Sequence, residues 1–429
     1  MSGKGSVTIA SGNHLCSNPR VVKEADALSS AGYKVCVLGG AYAADLKQRD
    51  LDLVAGRDWD YQIAYDVTVS PRARLWFKAQ RKLGLLLWRR LSMANRWQIF
   101  YGTGSLQRAV TGLNADLTIA HWEAALAAVV AQLRRGQRVG IDMEDWFSED
   151  LLPEARKGRP IGLLERYERQ LLCRGSHSSC TSDAMAEALV ERYGCRRPLT
   201  IRNVFPAKDR ESIDGQWKDR PGVAKFVRGN EVPFDRPAAV PVSIHWYSQT
   251  VGPGRGLEEL MAAARNLSGD CEIHLRGESE KYRTWLDNLL DDRLRRRLHL
   301  HPLVSNNELL SRIAEHDVGF AGEQTEPPSR NLTITNKFFQ YLQGGLAVVA
   351  TATAGQNEGA RDVAGAVSLY QPGDVDGLRD ALQQLIDNRE KLHARRAAAW
   401  EAGGRLCWEN EGPKLVASVE RCFGEAVFP

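Results

Sequence analysis

The stretch VTIASGNHLCSNPRVVKEADALSSAGYKVCVLGG, residues 7–40, sets the fold. It opens with a short apolar run closed by Gly12. Asn18 and Pro19 then form a helix start, with a capping side chain at the boundary and proline at the first helical position. Val22, Ala25 and Leu28 keep an apolar face at helical spacing, and Gly32 ends the helix. YKVCVLGG (33–40) follows as a buried strand. Strand, helix, strand is a βαβ unit, and its parallel strands need helices on both faces of the sheet.

The same rhythm continues outward. ADLTIAHW (115–122) reads as a strand, EAALAAVVAQLRRG as a helix and QRVGIDMED as a strand. GLLERYERQLLCRG and SDAMAEALVERYG read as helices, and LTIRNVF as a strand leaving the domain. Residues 207–240 lose the periodicity and are rich in charge, Pro and Gly, the composition of a linker or surface insertion. A second series then starts with PVSIHWYS, GLEELMAAARNL and CEIHLRG, and runs on through LAVVAT and DGLRDALQQLIDN. Two such arrays predict two doubly wound α/β domains, with ligands beyond the carboxyl ends of the strands. A length of 429 residues fits two or three domains.

Composition removes other classes. With 43% hydrophobic and 26% charged residues the chain is neither disordered nor fibrous. Eight cysteines include no C-x-x-C pair, and no histidine cluster stands beside them in sequence, so the expectation is no metal and reduced thiols in a cytoplasm. No run approaches the length of apolar residues needed to span a bilayer, which predicts a soluble or peripheral protein. Neither a G-x-x-x-x-G-K-[ST] loop nor a G-x-S-x-G elbow is present. Asp-x-Asp triplets at 50/52, 58/60 and 374/376 sit in polar, turn-like surroundings and read as solvated surface carboxylates.

Two loops carry the chemistry. In VGFAGEQTEPPSRNLTITNKFFQYLQGGLAVVAT (318–351), a strand enters a polar loop, Asn336 caps a short helix bearing Lys337, and Gly344 and Gly345 close it. Free N–H groups at that helix start, with Lys337 in the first turn, make an anion site. In SIHWYSQTVGPGRGLEEL (243–260), Arg255 stands just ahead of a helix, where a guanidinium can hold a diphosphate by paired hydrogen bonds. Taken singly, each reads equally as an ordinary strand-to-helix connection.

These residues resemble the retaining GT-B glycosyltransferases, family 4 above all. SNPRVVKEADALSSAGYKVCVL is similar to the family's first helix, 243–260 to its glycine turn and R/K-G-L helix, and NKFFQYLQGGLAVVAT to its N-K-x-F-E-Y-L signature. LCWENEG resembles the closing W-E helix. The resemblance implies a GT-B fold, two Rossmann-like domains facing across a cleft. It assigns an acceptor-side domain over 1–206, a linker over 207–240, a nucleotide-sugar domain over 241–405 and a returning terminal helix over 406–429. The implied reaction moves a sugar, as a hexosyltransferase does, from a UDP- or GDP-sugar to an unnamed acceptor, lipid-linked or soluble, with retention and without cofactor or metal.

Residue by residue, the resemblance places the donor diphosphate on Arg255 and Lys337, next to Gly254, and the base near Pro302, Leu303 and Val304. The backbone from Leu332 through Thr333 and Ile334 to Thr335 and Asn336 approaches the phosphates and sugar. His121 matches a histidine that contacts the transferred sugar; from its own surroundings it reads as a buried strand-end histidine. The chain departs from the family's Glu-x7-Glu pair. Gln340 holds the second position and can bond a hydroxyl without charge, while Glu323 or Glu326 supplies the first acid from the preceding loop. That departure leaves open a catalytically silent sugar-nucleotide-binding relative, and the architecture leaves open a sugar-nucleotide epimerase.

Between Asp66 and Asp116 there is no acidic residue. Drawn as a helix, Arg74, Lys78, Arg81, Arg89 and Arg96 fall on one side, and Trp76, Leu83, Leu87 and Leu91 on another. Residues 72–97 thus read as an interfacial element on an anionic membrane, or as a helix packed on the core or lining the acceptor cleft. No nucleic-acid-binding motif accompanies the charge.

Overall fold

The computed structural model describes residues 4–220 and 240–424. The chain forms two compact units, one from Met1–Arg202 with Glu411–Pro429 and one from Asn203–Asn410.

The first unit is built on seven strands, β1 (Ser6–Ala10), β2 (Lys34–Ala41), β3 (Asp60–Asp66), β4 (Leu117–His121), β5 (Val139–Met143), β6 (His177–Cys180) and β7 (Leu199–Thr200). Their order is β3-β2-β1-β4-β5-β6-β7, and every neighbouring pair is parallel. Asn18 caps the helix Pro19–Ser30 by accepting from the Val21 N–H, with Pro19 at its first position. β2 buries all of its side chains but Lys34, as a parallel strand covered on both faces must.

The second unit carries β8 (Val242–Thr250), β9 (Cys271–Glu278), β10 (Leu298–His301), β11 (Val318–Ala321), β12 (Ala347–Thr351) and β13 (Val367–Tyr370). Their order is β10-β9-β8-β11-β12-β13, again all parallel. Trp246, Phe320 and Tyr341 are fully buried at its centre. These are the two doubly wound sheets of the GT-B fold.

Several sequence expectations need correction. LTIRNVF forms only the two-residue β7, and the strand β3 escaped notice because Asp60 and Asp66 close it at both ends. The described part of the 207–240 segment, read as a linker or surface insertion, is tied to the second unit. Arg312 donates to Asp214, and the buried Arg220 lies 3.4 Å from Asp317 Oδ2, so its charges find buried partners in the second unit. The remainder of that segment, 221–239, lies outside the described residues, as do 425–429 of the terminal helix segment. Asp50 is no surface carboxylate: it is buried and accepts from the Cys16 N–H, with His14 Nδ1 2.6 Å away. Asp374 instead caps a helix, as its turn-like setting suggests.

The basic stretch is a helix only over Pro71–Leu91, because Ser92 turns left-handed at φ 54. Arg96 therefore leaves the basic side and sits in a separate turn, Arg96–Gln98, bonded to Gln107. Gly84 is the helix's one buried residue, its carbonyl accepting from Asn95 Nδ2 at 3.0 Å. Leu75, Trp76, Leu83, Leu86 and Leu91 are exposed, Trp76 by 63%, so packing on the core of this unit does not account for them.

Candidate functional site

In the second sheet the chain runs outward through β8, β9 and β10, then crosses back to lay β11 on the other flank of β8. The carboxyl ends of β8 and β11 therefore form the topological switch point, where open α/β sheets bind ligands. The loop after β8 carries Gly254 and Arg255; the loop after β11 carries Glu323. The two loops touch. Gly256, at φ +76, begins the helix Leu257–Ala264, and a Cβ there would come within 3.1 Å of the Gly322 backbone. Arg330 Nη1 ties the arrangement by donating to the Gly254 carbonyl at 2.9 Å. Arg255 itself is half-buried and has no hydrogen-bond or ion-pair partner among the described residues.

Lys337 rises from the first turn of the helix Asn336–Gly344. Its ammonium lies 2.8 Å from Glu323 Oε1 and 5.8 Å from the Trp246 ring centroid. Burial pushes the Glu323 carboxyl up, but the Lys337 ammonium, Arg330 and Thr335 together bring it below its usual value. Asn336 does not cap this helix, contrary to expectation. Thr335 occupies the cap position without a side-chain bond to the helix N–H groups, and the Asn336 side-chain oxygen accepts from Asn203. The helix start thus keeps its N–H groups uncommitted to a cap, which suits an anion.

The other donor-side residues take definite places. Leu332 and Thr333 pass so close to Gly355 that a Cβ there would meet their carbonyls at 2.5 and 2.6 Å, while Ile334 is buried. Pro302 follows β10 and its carbonyl accepts from Arg276 Nη1 at 2.6 Å; Leu303 is 48% exposed and Val304 half-buried. The Tyr247 hydroxyl donates to the Gln340 side-chain carbonyl, so Gln340 enters any ribose contact already bonded. Glu326 is exposed.

In the first unit the corresponding switch point lies between β1 and β4. His121 ends β4, fully buried, with Nε2 2.9 Å from Glu24 Oε2 and Nδ1 3.9 Å from Asp142 Oδ1. Burial works against its charge, but Glu24 and Asp142 outweigh it and raise the imidazole to about 9. Arg20, also fully buried, holds Asp142 through two hydrogen bonds of 2.9 and 2.6 Å. His121 is therefore the buried strand-end histidine of the residue-level reading, and its side chain has no open face for a sugar. The next residue is strained: Trp122 adopts φ 63 at the strand-to-helix turn, its ring 4.6 Å from that of Phe100.

A family model described as a glycosyl transferase 4-like domain matches residues 17–203. Among solved structures, HepE from Anabaena in complex with UDP is 14% identical with a TM-score of 0.63, over 97% of this chain and 100% of that one. Sucrose-phosphate synthase from Thermosynechococcus elongatus is 15% identical with a TM-score of 0.66, over 98% and 100%. WaaG, a glycosyltransferase of lipopolysaccharide biosynthesis, is 11% identical with a TM-score of 0.62, over 95% and 99%. No curated protein matches the sequence. The chain has the GT-B fold, and its residues 17–203 are similar to a glycosyl transferase 4-like domain.

At the β8/β11 switch point stand Arg255, Glu323 and Lys337, which the sequence singled out, and Arg330, which it did not and which pins the glycine turn beside Arg255. The signal was its place in the same loop, two residues after a proline pair. The Trp122 strain had no signal, because a bulky residue seldom adopts positive φ. Also missed was a group of histidines in the second unit, scattered in sequence and gathered by β8, β9 and β10. No helix among the described residues is long and apolar enough to cross a membrane.

Proposed function

We propose that the donor is a nucleoside-diphosphate sugar, UDP- or GDP-linked, held at the β8/β11 switch point of the second unit by Arg255 and Lys337. The observation that carries this reading is Arg255: a half-buried guanidinium with no partner among the described residues, on a glycine turn at a switch point. The complexes of HepE with UDP and with UDP-glucose, on the same fold, support a nucleotide donor. Cleavage of the sugar–phosphate bond leaves positive charge on the sugar and negative charge on the departing diphosphate. Fixed cations and helix N–H groups aimed at that diphosphate act where charge develops. In this reading Glu323 sets the position of Lys337, and Gln340 meets the ribose through the amide that Tyr247 leaves free. Transfer goes with retention, by front-face attack, and needs no metal at the diphosphate. His121 acts from beneath the acceptor-side switch point as a positioning residue, holding Glu24.

The acceptor in this proposal is lipid-linked and met at an anionic membrane surface. The helix Pro71–Leu91 supports that reading, since it leaves Trp76, Leu83 and Leu86 exposed among Lys78, Lys82, Arg89 and Arg90. Such a face combines insertion with attraction to anionic headgroups. A calorimetric screen of UDP, GDP and their sugars tests the donor assignment. Saturable binding of one diphosphate, lost in Arg255→Ala with Lys337→Ala, is the expected result; binding unaffected by both substitutions would remove the site.

A further inference from the structure

The outer edge of the second sheet gathers residues that the reaction proposed above does not use. β10 is the edge strand, and it pairs with β9 so that His299 lies beside His274 and His301 beside Arg276. Side chains alternate along a strand, so Glu272 and His274 share a face of β9, and His299 and His301 share the same face of β10. Glu272 Oε2 lies 3.3 Å from His274 Nε2, and Glu272 Oε1 lies 3.9 Å from His299 Nε2. One ligand atom from each of these three residues falls within 4.8 Å of the others.

A proton count shows that something is missing from this line of acceptors. Asp219 Oδ1 faces His301 Nδ1 at 3.3 Å, His301 Nε2 faces His274 Nδ1 at 2.9 Å, and His274 Nε2 faces Glu272. That is three gaps. Two neutral imidazoles bring one N–H each and fill two of them. If Asp219 takes the His301 proton and His301 Nε2 takes the His274 proton, His274 Nε2 points a lone pair at a carboxylate. In that arrangement the third gap takes a cation, either a further proton or a metal ion. In the reverse one His274 donates to Glu272 and the open gap lies at Asp219, which pairs with Arg276.

We propose that Glu272, His274 and His299 bind a divalent transition-metal ion of the zinc class. Two imidazole nitrogens and a carboxylate oxygen suit such an ion, and bonds of about 2.0–2.2 Å in a tetrahedron set the ligand atoms roughly 3.3 Å apart. The 3.3 Å separation meets that spacing, and the 3.9 Å one closes to it by rotation of His299. The rings of His274 and His299 are stacked, 4.7 Å apart at 16°, so one ring must turn for both nitrogens to aim at one ion. His299 is the one able to turn, its side chain being 43% exposed while His274 is enclosed. The fourth position faces solvent and takes water. Asp219 and His301 stand behind His274 as the outer partners that fix a ligating histidine's tautomer. One competing cation is present, Arg220, 3.5 Å from Glu272. It does not depend on that contact, because it also donates to Ser243, Asp317 and the Pro241 carbonyl.

The test uses the full-length protein, stripped with chelator and dialysed, then titrated with Zn²⁺ by calorimetry and with Co²⁺ by visible absorption. One equivalent should bind, with the Co²⁺ d–d bands of a low-coordinate nitrogen and oxygen site. His299→Ala and Glu272→Gln, both at partly exposed side chains, should abolish the bands, and His301→Asn should weaken Zn²⁺ by about tenfold to a hundredfold. His393→Ala, a histidine outside the group, should leave both signals unchanged. Absence of saturable binding would overturn the proposal. So would wild-type affinity in His299→Ala and Glu272→Gln, or equal weakening by His393→Ala.

Discussion

The Lys337 ammonium and the Glu323 carboxylate stand 2.8 Å apart, both largely withdrawn from solvent, at the start of one helix. The lysine that the donor reading needs is thus already paired, and Arg255 is not. A diphosphate arriving at Lys337 meets a carboxylate as well as an ammonium.

This asymmetry orders the effects of three substitutions. Arg255→Ala removes a charge-assisted hydrogen bond, a loss of about 1.5–3 kcal/mol, or roughly tenfold to over a hundredfold in affinity for UDP or GDP. Lys337→Ala should cost more, because it also leaves Glu323 as an uncompensated anion beside the site. Adding Glu323→Gln to Lys337→Ala should recover part of the loss. Calorimetry on the four proteins reads this out, and a double variant no better than Lys337→Ala would remove Glu323 from the site.

Gly254 and Gly256 separate backbone strain from crowding. Both have positive φ, 73 and 76, where an L side chain costs about 1–2 kcal/mol. A Cβ at 254 meets only the Gln324 side chain at 3.8 Å, whereas one at 256 meets the Gly322 backbone at 3.1 Å. Gly256→Ala should therefore lower the melting temperature more than Gly254→Ala and weaken nucleotide binding by pushing the two loops apart. Equal effects in thermal melts would deny the loop contact.

His121 gives a pH signature in stability. Its folded value of about 9 stands above the ordinary histidine value, so the Glu24 pair contributes fully below about pH 6.5 and is lost as pH rises through 9. The contribution is on the order of a few kcal/mol. His121→Gln should lower stability at pH 6.5 and flatten its decline between pH 7 and 9.5, measured by urea unfolding. Parallel pH profiles for the two proteins would mean that the imidazole carries no charge in the folded state.

How much of this was legible follows from how local each feature is. The βαβ unit at 7–40 announced itself because cap, proline, apolar spacing and glycine stop all lie within a few residues of one another. The positions of Arg255 and Lys337 at the start of a helix were legible for the same reason, each sitting where a strand-to-helix loop ends. Asp50 misled because its partner His14 lies far back in the chain, and burial by a distant partner leaves no mark on neighbouring residues. The histidines at 274, 299 and 301 were invisible as a group because only the parallel register of β9 and β10 unites them. The Thr335 boundary was missed by one residue, which turned on the pairing of Asn336 with Asn203.

The helix Pro71–Leu91 makes the membrane reading measurable. Each Lys or Arg near an anionic surface contributes about 1 kcal/mol, screened as salt rises. Wild type should sediment with phosphatidylglycerol vesicles at low salt and far less with neutral ones. Arg81, Lys82, Arg89, Arg90→Glu should abolish the anionic preference, and Trp76→Ser with Leu83→Ser should remove the part that survives high salt. Equal sedimentation of wild type and the charge variant would defeat the reading and favour a soluble acceptor.

The first unit is closed by the end of the chain, and that has a practical side. Glu411 Oε2 accepts from the Arg202 N–H at 3.0 Å, Ser418 bonds to His177 at the start of β6, and Cys422 donates to the carbonyl of Ser176 just before it. Residues 203–410 thus form an uninterrupted cassette inserted between two pieces of one fold. The second unit can therefore be excised with two cuts, at 202 and 410, whereas removing residues 411–424 takes away contacts that the first unit makes with its own strands.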